Sequence, residues 1–473
     1  MSKKILKENL IYQGLYQLIR VLTPIITIPI ISRAFGPDGV GIINYSYSII
    51  QYFLLFANVG IQLYFNKLIA ECEIESVEIS RRFWNIFVSK LIMSLSILVI
   101  YFIFICIFVE DNRLIFLIQG IYILGVLLDV SWFYAGIEKF KIASLSNMIA
   151  SMFVLISVIF IINNKEDMNA YVFILSSATV INQLPLILNL KNYIKYIHVD
   201  WNKVIYIIKQ SFRYILANGY LFLYTVIANV ILGISQTYEK VGIFANTLNI
   251  LMVAIIFINT IDLVMIPRMI KLSTIKNENI PRTLLENNIN IQIAITIPMA
   301  LGMVGIMPGF YSWFFGDEFY ETVSLMNVVA ILLVIVPLNM LISRQYLMLN
   351  NKLKFYNITV LFGIAFNLLL SIALIPSYGI YGAAIARIMT EAILLILNLK
   401  ELFKEQIQIY FDHIFKSLIA SLIMYGIVIW ISNHFPNVWY YTICNIFCGI
   451  FIYLVISMLL KNKYIVMLYK NLI

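Results

Sequence analysis

Residues Asn9–Asn66 read NLIYQGLYQLIRVLTPIITIPIISRAFGPDGVGIINYSYSIIQYFLLFANVGIQLYFN. Two apolar spans, 10–32 and 40–66, flank the turn Gly36-Pro37-Asp38-Gly39. Each is long enough to cross a bilayer, which takes about 20 apolar residues. Neither is a plain anchor. Gln13, Tyr16, Gln17, Arg20, Thr23, Pro24 and Thr27 recur at helical spacing and share one face of the first span. Asn44, Ser48, Gln51, Asn58, Gln62 and Asn66 form a stripe on the second. A polar stripe cannot be turned to hydrocarbon, so it faces other helices or a water-filled cavity. The hairpin therefore predicts a polar path inside a helical membrane protein.

The rest of the chain agrees. Of 473 residues, 62% are hydrophobic and 12% charged, where a soluble domain carries about 25% charged residues. Mean hydropathy is +0.92. These values predict an all-α polytopic membrane protein. The basic start MSKKILKENL runs into Arg20 and Pro24 without a small-residue cleavage site, which reads as a retained first helix. The four cysteines and three histidines show no disulfide framework and no metal-ligand spacing, so no metal site is expected.

Apolar windows predict fourteen spans, at 10–32, 40–66, 83–108, 114–135, 142–162, 170–190, 210–232, 242–266, 289–311, 321–343, 355–375, 379–399, 413–432 and 438–460. With the N-terminus inside, 25 of the 33 Lys and Arg residues fall in inside segments. Four (Arg33, Arg113, Lys165, Lys240) fall outside and four (Arg20, Lys90, Arg213, Arg387) within spans. This asymmetry places both termini in the cytoplasm. It makes the net charge of +9 a matter of topology, and no nucleic acid is expected. All outside loops are short, so the work is done within the bilayer. Asp38-Gly-Val-Gly-Ile42 matches Glu239-Lys-Val-Gly-Ile243, and Ser46/Thr247 and Ile49/Ile250 continue the match. The match predicts two related six-helix lobes, 1–200 and 201–402, with two further helices and a cytoplasmic tail at 403–473.

Charges within spans are the candidate functional residues. Arg20, at a span centre, costs about 2.5–3.5 kcal/mol on insertion scales, which a cavity-facing position offsets. A guanidinium there suits an anionic group, phosphate above all. Lys90 and Asp129, and Arg213 and Asp262, lie at matching depths on neighbouring spans and are candidate ion pairs of an inner gate. Arg387 and Glu391 stand i, i+4 on one span and are expected to neutralise each other, with Glu391 the candidate proton-coupling carboxylate. Tyr220 and Tyr224 share a face near Arg213 and are candidates for stacking on sugars.

ISRAFGPDGVGIINYSYSIIQYF (31–53) resembles the first hairpin of polysaccharide exporters. LIPSYGIYGAAIARIMTEAILL (374–395) resembles their Pro-x-x-Gly-x-x-Gly-Ala-Ala turn into span 12, ending in Glu. YEKVGIFANTLNI and RQYLMLNNKLKFYNI fit between them. The chain is similar to the Wzx-type oligosaccharide flippases of the multidrug/oligosaccharidyl-lipid/polysaccharide exporter superfamily. The resemblance implies two six-helix lobes around a central cavity that opens alternately to each side of the bacterial plasma membrane. It implies an undecaprenyl-pyrophosphate-linked oligosaccharide as substrate, for capsule or O-antigen-like assembly. Membrane lipids, a polysaccharide polymerase and a chain-length regulator are the other partners it implies. No cofactor is expected beyond H+ or Na+ as coupling ion. Arg20 is the first-span cation, and Gln13, Gln17, Asn44, Gln51, Asn58, Arg213, Tyr220 and Tyr224 complete the candidate substrate contacts. Where Arg387 stands, the family has a small or hydroxyl residue. A drug or ion antiporter of the same superfamily is the alternative reading, though it favours acidic cavities. A membrane glycan polymerase is third, and it calls for a large outer loop.

Overall fold

The computed structural model describes residues 3–58, 64–72, 77–213, 226–276, 282–350, 352–408 and 410–466. Among the described residues there are helices and no strands. The chain forms two compact units, residues 1–226 and 227–473.

In the first unit, α1 (Lys3–Ala57) is two arms joined at Gly36, whose φ of 64° is open to glycine and costly for other residues. Contacts along the arms establish the reversal. Tyr12 lies 4.9 Å below the Lys141 ammonium, at the start of α6 (Phe140–Ile161). Phe35 meets Tyr171 with ring centroids 5.6 Å apart, at the start of α7 (Met168–Leu190) and so at the opposite end of that helix pair. Beyond Gly36 the chain returns. Ser46 meets Gln119, early in α4 (Arg113–Leu128). The Ala57 carbonyl accepts from Ser94, midway along α3 (Val77–Phe108). Between these helices lie two short ones, α2 (Asn66–Ala70) and α5 (Ser131–Gly136).

The unit closes through α1 against α4 and α6, and through α7 against α4 and α6. Lipid tails are as apolar as leucine, so helix association here depends on close packing and interhelical hydrogen bonds. Gly125 shows the first, since a Cβ there would overlap Thr179 of α7. Tyr101 shows the second: fully buried, it donates to the Phe116 carbonyl across the α3–α4 interface at 2.8 Å.

The amphipathic helix α8 (Trp201–Arg213) packs on α3. The Asp200 N–H donates to Asn85 Oδ1 at 2.9 Å, and Ser89 donates to the Val204 carbonyl at 3.2 Å. The expected seventh span at 210–232 therefore needs correction at its start. Residues 210–213 complete a surface helix with a polar side, and residues 214–225 lie outside the described residues.

The second unit contains α9 (Val226–Ser235), α10 (Tyr238–Lys276) and α11 (Arg282–Phe314). The pair α12 (Glu321–Val329) and α13 (Leu332–Ile342) is bent by 41° and runs into a π turn at Ser343–Leu347. Then come α14 (Leu353–Phe403), α15 (Phe411–His434) and α16 (Trp439–Leu459). Helix α14 is again two arms, broken at Gly379 with φ 55°. A Cβ on Gly382 would fall on the Leu374 carbonyl, eight residues back, so the arms fold onto each other. Helices α15 and α16 pack on α11.

Among the described residues, ten helices are long and apolar enough to cross a membrane, or eleven with the bent α12–α13 pair taken as one span. Two of these helices, α1 and α14, are each divided into two arms by a glycine break. The chain is thus a multi-pass, all-helical membrane protein.

Candidate functional site

The polar face of the first arm changes character along its length. Thr27 and Ile31 are buried, whereas Arg20, on the same face two turns earlier, is exposed. Pro24 has no N–H to offer the Arg20 carbonyl, and Thr23 turns its hydroxyl to the Ile19 carbonyl at 2.8 Å. The stripe is therefore packed near Gly36 and opens at Arg20. Gln17 is half-buried beside it. The Gln13 side chain lies outside the description.

The second arm spends its polar groups locally. Asn44 donates to the Val40 carbonyl at 2.8 Å, and Gln51 is half-buried. Asn58 is exposed just past the end of α1, with its N–H on the Leu54 carbonyl. Arg20 is the candidate on this hairpin that projects a charge beyond its own helix.

Lys90 and Asp129 do come together. Lys90 is 1% exposed, and its Nζ lies 3.4 Å from Asp129 Oδ2 and donates to the Asp129 backbone carbonyl. Asp129 lies within the expected fourth span, which runs Arg113–Gly136, but the helix is interrupted at that residue. Helix α4 stops at Leu128, Asp129 is extended with ψ 119°, and α5 begins at Ser131. The break presents both the carboxylate and the free carbonyl. Asp129 Oδ1 accepts from the Ser131 N–H at 2.8 Å, and its carbonyl accepts the Trp132 indole N–H at 3.0 Å. Four donor–acceptor relations thus converge on one residue at a helix break, which fixes Lys90 from α3 against the α4–α5 joint.

The second unit holds a different polar interior. Glu391 is 2% exposed. Asn339 donates to its Oε2 at 2.9 Å and to its carbonyl at 3.0 Å, and Asn398 donates to Asn339 Oδ1 at 3.1 Å. The expected i, i+4 ion pair between Arg387 and Glu391 is absent from the ion pairs of the described residues. Arg387 is buried, and its Nε has no hydrogen-bond partner among them. Asn339 reaches the Glu391 carboxylate from α13. Sequence reasoning missed Asn339 and Asn398. Glu391 and Asn398 stand i, i+7 and share a face, which is the signal that finds Asn398; Asn339, inside VIVPLNML, carries no such signal. The side chains of Arg213 and Asp262, and Tyr220 and Tyr224 altogether, lie outside the described residues.

The chain as a whole is similar to known proteins. A protein described as "Putative O-antigen transporter" from Escherichia coli (strain K12) is 25% identical over 412 residues, 83% of this chain and 95% of that one. The fold matches lipid II flippase MurJ in an inward closed conformation with a TM-score of 0.76, at 13% identity, over 97% of this chain and 99% of that one. An inward-facing multidrug resistance MATE transporter of the MOP superfamily matches with a TM-score of 0.60, at 13% identity, over 87% and 95%. The family model for polysaccharide biosynthesis proteins matches residues 6–273, more than half of the chain, and the chain belongs to that family.

Proposed function

We propose that this protein is a flippase that moves an undecaprenyl-pyrophosphate-linked oligosaccharide repeat unit across the bacterial plasma membrane by alternating access, with both termini cytoplasmic. The observation that carries the reading is Arg20, an exposed guanidinium midway along an apolar crossing, on a polar face that is packed on one side of it and open on the other. Membership in a polysaccharide biosynthesis family supports it, as does the name of the E. coli relative.

A pyrophosphate cannot enter hydrocarbon bare, since each unpaired buried ion costs several kcal/mol even after relaxation. Arg20 offers a planar fork of donors that matches phosphate oxygens. In this reading Arg20 holds the pyrophosphate, amide side chains of the first arm replace sugar hydration, and the polyprenyl tail stays in lipid. The Lys90–Asp129 pair keeps the α3 and α4–α5 elements together in one state of the cycle and loosens in the other. A proton or Na+ is the coupling ion, with Glu391 the carboxylate that would sense it.

Arg20→Ala is expected to abolish surface polysaccharide in a strain that depends on this protein, while the protein stays at normal level in the membrane. Arg20→Lys restores part of it. Normal surface polysaccharide with Arg20→Ala would overturn the role. Reconstituted vesicles separate the drug/ion antiporter reading: lipid-linked oligosaccharide reaches the opposite leaflet, and a cationic dye is not extruded.

A further inference from the structure

Helix α8 has three distinct sides. Val204, Ile207 and Ser211 are buried against α3. At 100° per residue, Trp201 and Ile205 fall on one flank of that buried side, and they are 62% and 51% exposed. Lys203 and Tyr206 fall on the opposite flank and are also exposed. A helix with one apolar flank and one charged flank lies in the plane of the membrane–water interface, apolar flank toward the hydrocarbon. The Lys203–Tyr206 flank then stands at the level of the headgroups.

A cavity of about 280 Å³ opens on that flank, between α8, the start of α3, and Tyr64 and Leu68. Its charged lining is Arg81, Arg82, Lys203 and Glu78, three cations to one acid. Glu78 is committed to Arg82, with Oε1 at 2.7 Å from Nη2 and 3.0 Å from Nε. Arg82 also donates to the Leu68 carbonyl at 2.9 Å and to Glu71 at 3.2 Å. Arg81 and Lys203 form no ion pair among those of the described residues, and both are exposed at the cavity. Tyr206 and the buried amide of Asn85 add polar atoms to a wall that is otherwise Leu68, Ile86 and Ile207. The volume suits a small headgroup and is too small for a whole lipid.

We propose that this cavity binds a phosphate group presented at the membrane surface, either the headgroup of an anionic lipid or a soluble phosphate ester, with Arg81 and Lys203 as the two cations left to hold it and Arg82 as a fixed third. The chemistry follows from the charge excess, since basic clusters at a membrane surface recognise anionic headgroups. It does not depend on which cargo the protein carries.

The test uses full-length protein in detergent, followed by native mass spectrometry. Phosphatidylglycerol and phosphatidylcholine of equal chain length are titrated in parallel, with glycerol 3-phosphate as the soluble arm. Phosphatidylglycerol should be retained in preference to phosphatidylcholine. The Arg81→Gln/Lys203→Gln double variant should bind it about thirtyfold more weakly. Arg81→Lys/Lys203→Arg should bind like the parent. Both positions are exposed, so the melting temperature of the lipid-free variants should not move. If glycerol 3-phosphate shows the same loss in the double variant and phosphatidylglycerol does not bind, the ligand is the soluble ester. The proposal is overturned if phosphatidylcholine binds as well as phosphatidylglycerol and glycerol 3-phosphate is unaffected by the double variant. It is equally overturned if the double variant retains whatever phosphate ligand the parent binds.

Discussion

Ser46 in the first unit and Thr247 in the second occupy corresponding positions of the internal repeat and do the same job. Each is fully buried, and each hydroxyl bonds the carbonyl four residues back, at Ile42 (2.8 Å) and Ile243 (2.7 Å). Val40 and Val241, and Ile50 and Leu251, are buried at the same offset. The apolar frame of the repeat has been kept, and the polar interiors have not. The first unit closes on a full ion pair, Lys90–Asp129, set at a helix break. The second closes on an amide–carboxylate chain, Asn398 to Asn339 to Glu391. Packing constrains both copies alike, while buried polar groups are free to differ as long as each copy satisfies its own.

The sharpest way to break that contrast is to remove one partner from each interior. Asp129→Ala leaves the Lys90 ammonium buried with only a carbonyl to hold it, and should cost about 3–5 kcal/mol in a reversible denaturant titration in detergent. Lys90→Met with Asp129→Leu removes both charges and should recover most of that loss. Asn339→Leu, in the second unit, removes a neutral donor and should cost only about 1–3 kcal/mol. Glu391→Gln keeps an acceptor for Asn339 and should fall below Asn339→Leu. Equal costs for Asp129→Ala and Asn339→Leu would mean that the two interiors are energetically alike. Exchanging Lys90 and Asp129 adds a functional reading. If the swap is no better than either single change in a polysaccharide assay, the pair has no role as a gate.

How far the sequence anticipated these interiors depends on range. Lys90 and Asp129 are legible because two unlike charges at equal depth on neighbouring apolar spans have few other partners. The helix break at Asp129 is not legible, since GVLLDVSWFY holds neither Gly nor Pro at the break itself and the cause is tertiary: Lys90 and Trp132 collect the freed carbonyl. The Asn339 contact to Glu391 is not legible either, since i, i+4 spacing is a local rule and this donor comes from another helix. The surface helix α8 was hidden for a related reason. Its apolar residues are divided between a protein-facing side and a flank, so its first part reads as loop and its last residues, 210–213, join the expected span at 210–232.

The two chain reversals offer a finer comparison. Gly36 and Gly379 both hold positive φ, 64° and 55°, and alanine at either should cost about 1–2 kcal/mol for the backbone alone. At Gly379 a Cβ would meet only the Gln236 side chain, at 3.5 Å, so Gly379→Ala isolates the backbone cost. Gly382→Ala tests a different quantity, because its Cβ would meet the main chain at Leu374, which cannot step aside. Thermal unfolding should rank Gly382→Ala above Gly379→Ala. The reverse order would show that the α14 arms can part at little cost.

The smallest expected effect lies outside the membrane, at Lys352, where the second unit does use ion pairs. Lys352 Nζ lies 3.0 Å from Glu401 Oε1 and 3.1 Å from Glu405 Oε1, and 2.6 Å from the Tyr346 hydroxyl. Burial works against its charge, but hydrogen bonds to Tyr346, Glu401 and Glu405 outweigh it and hold its pKa above the ordinary lysine value. A raised folded-state pKa means that the contribution is fully present below the unfolded value of about 10.4. It is lost only as pH rises through the higher folded value. Solvent screens these partly exposed groups, so Lys352→Met should cost less than about 1 kcal/mol. That difference should be flat from pH 6 to 9 and shrink only in strongly alkaline buffer. A difference that instead disappears between pH 6 and 9 would mean that some other group carries the charge at this corner, and that this pairing belongs with surface contacts of no consequence.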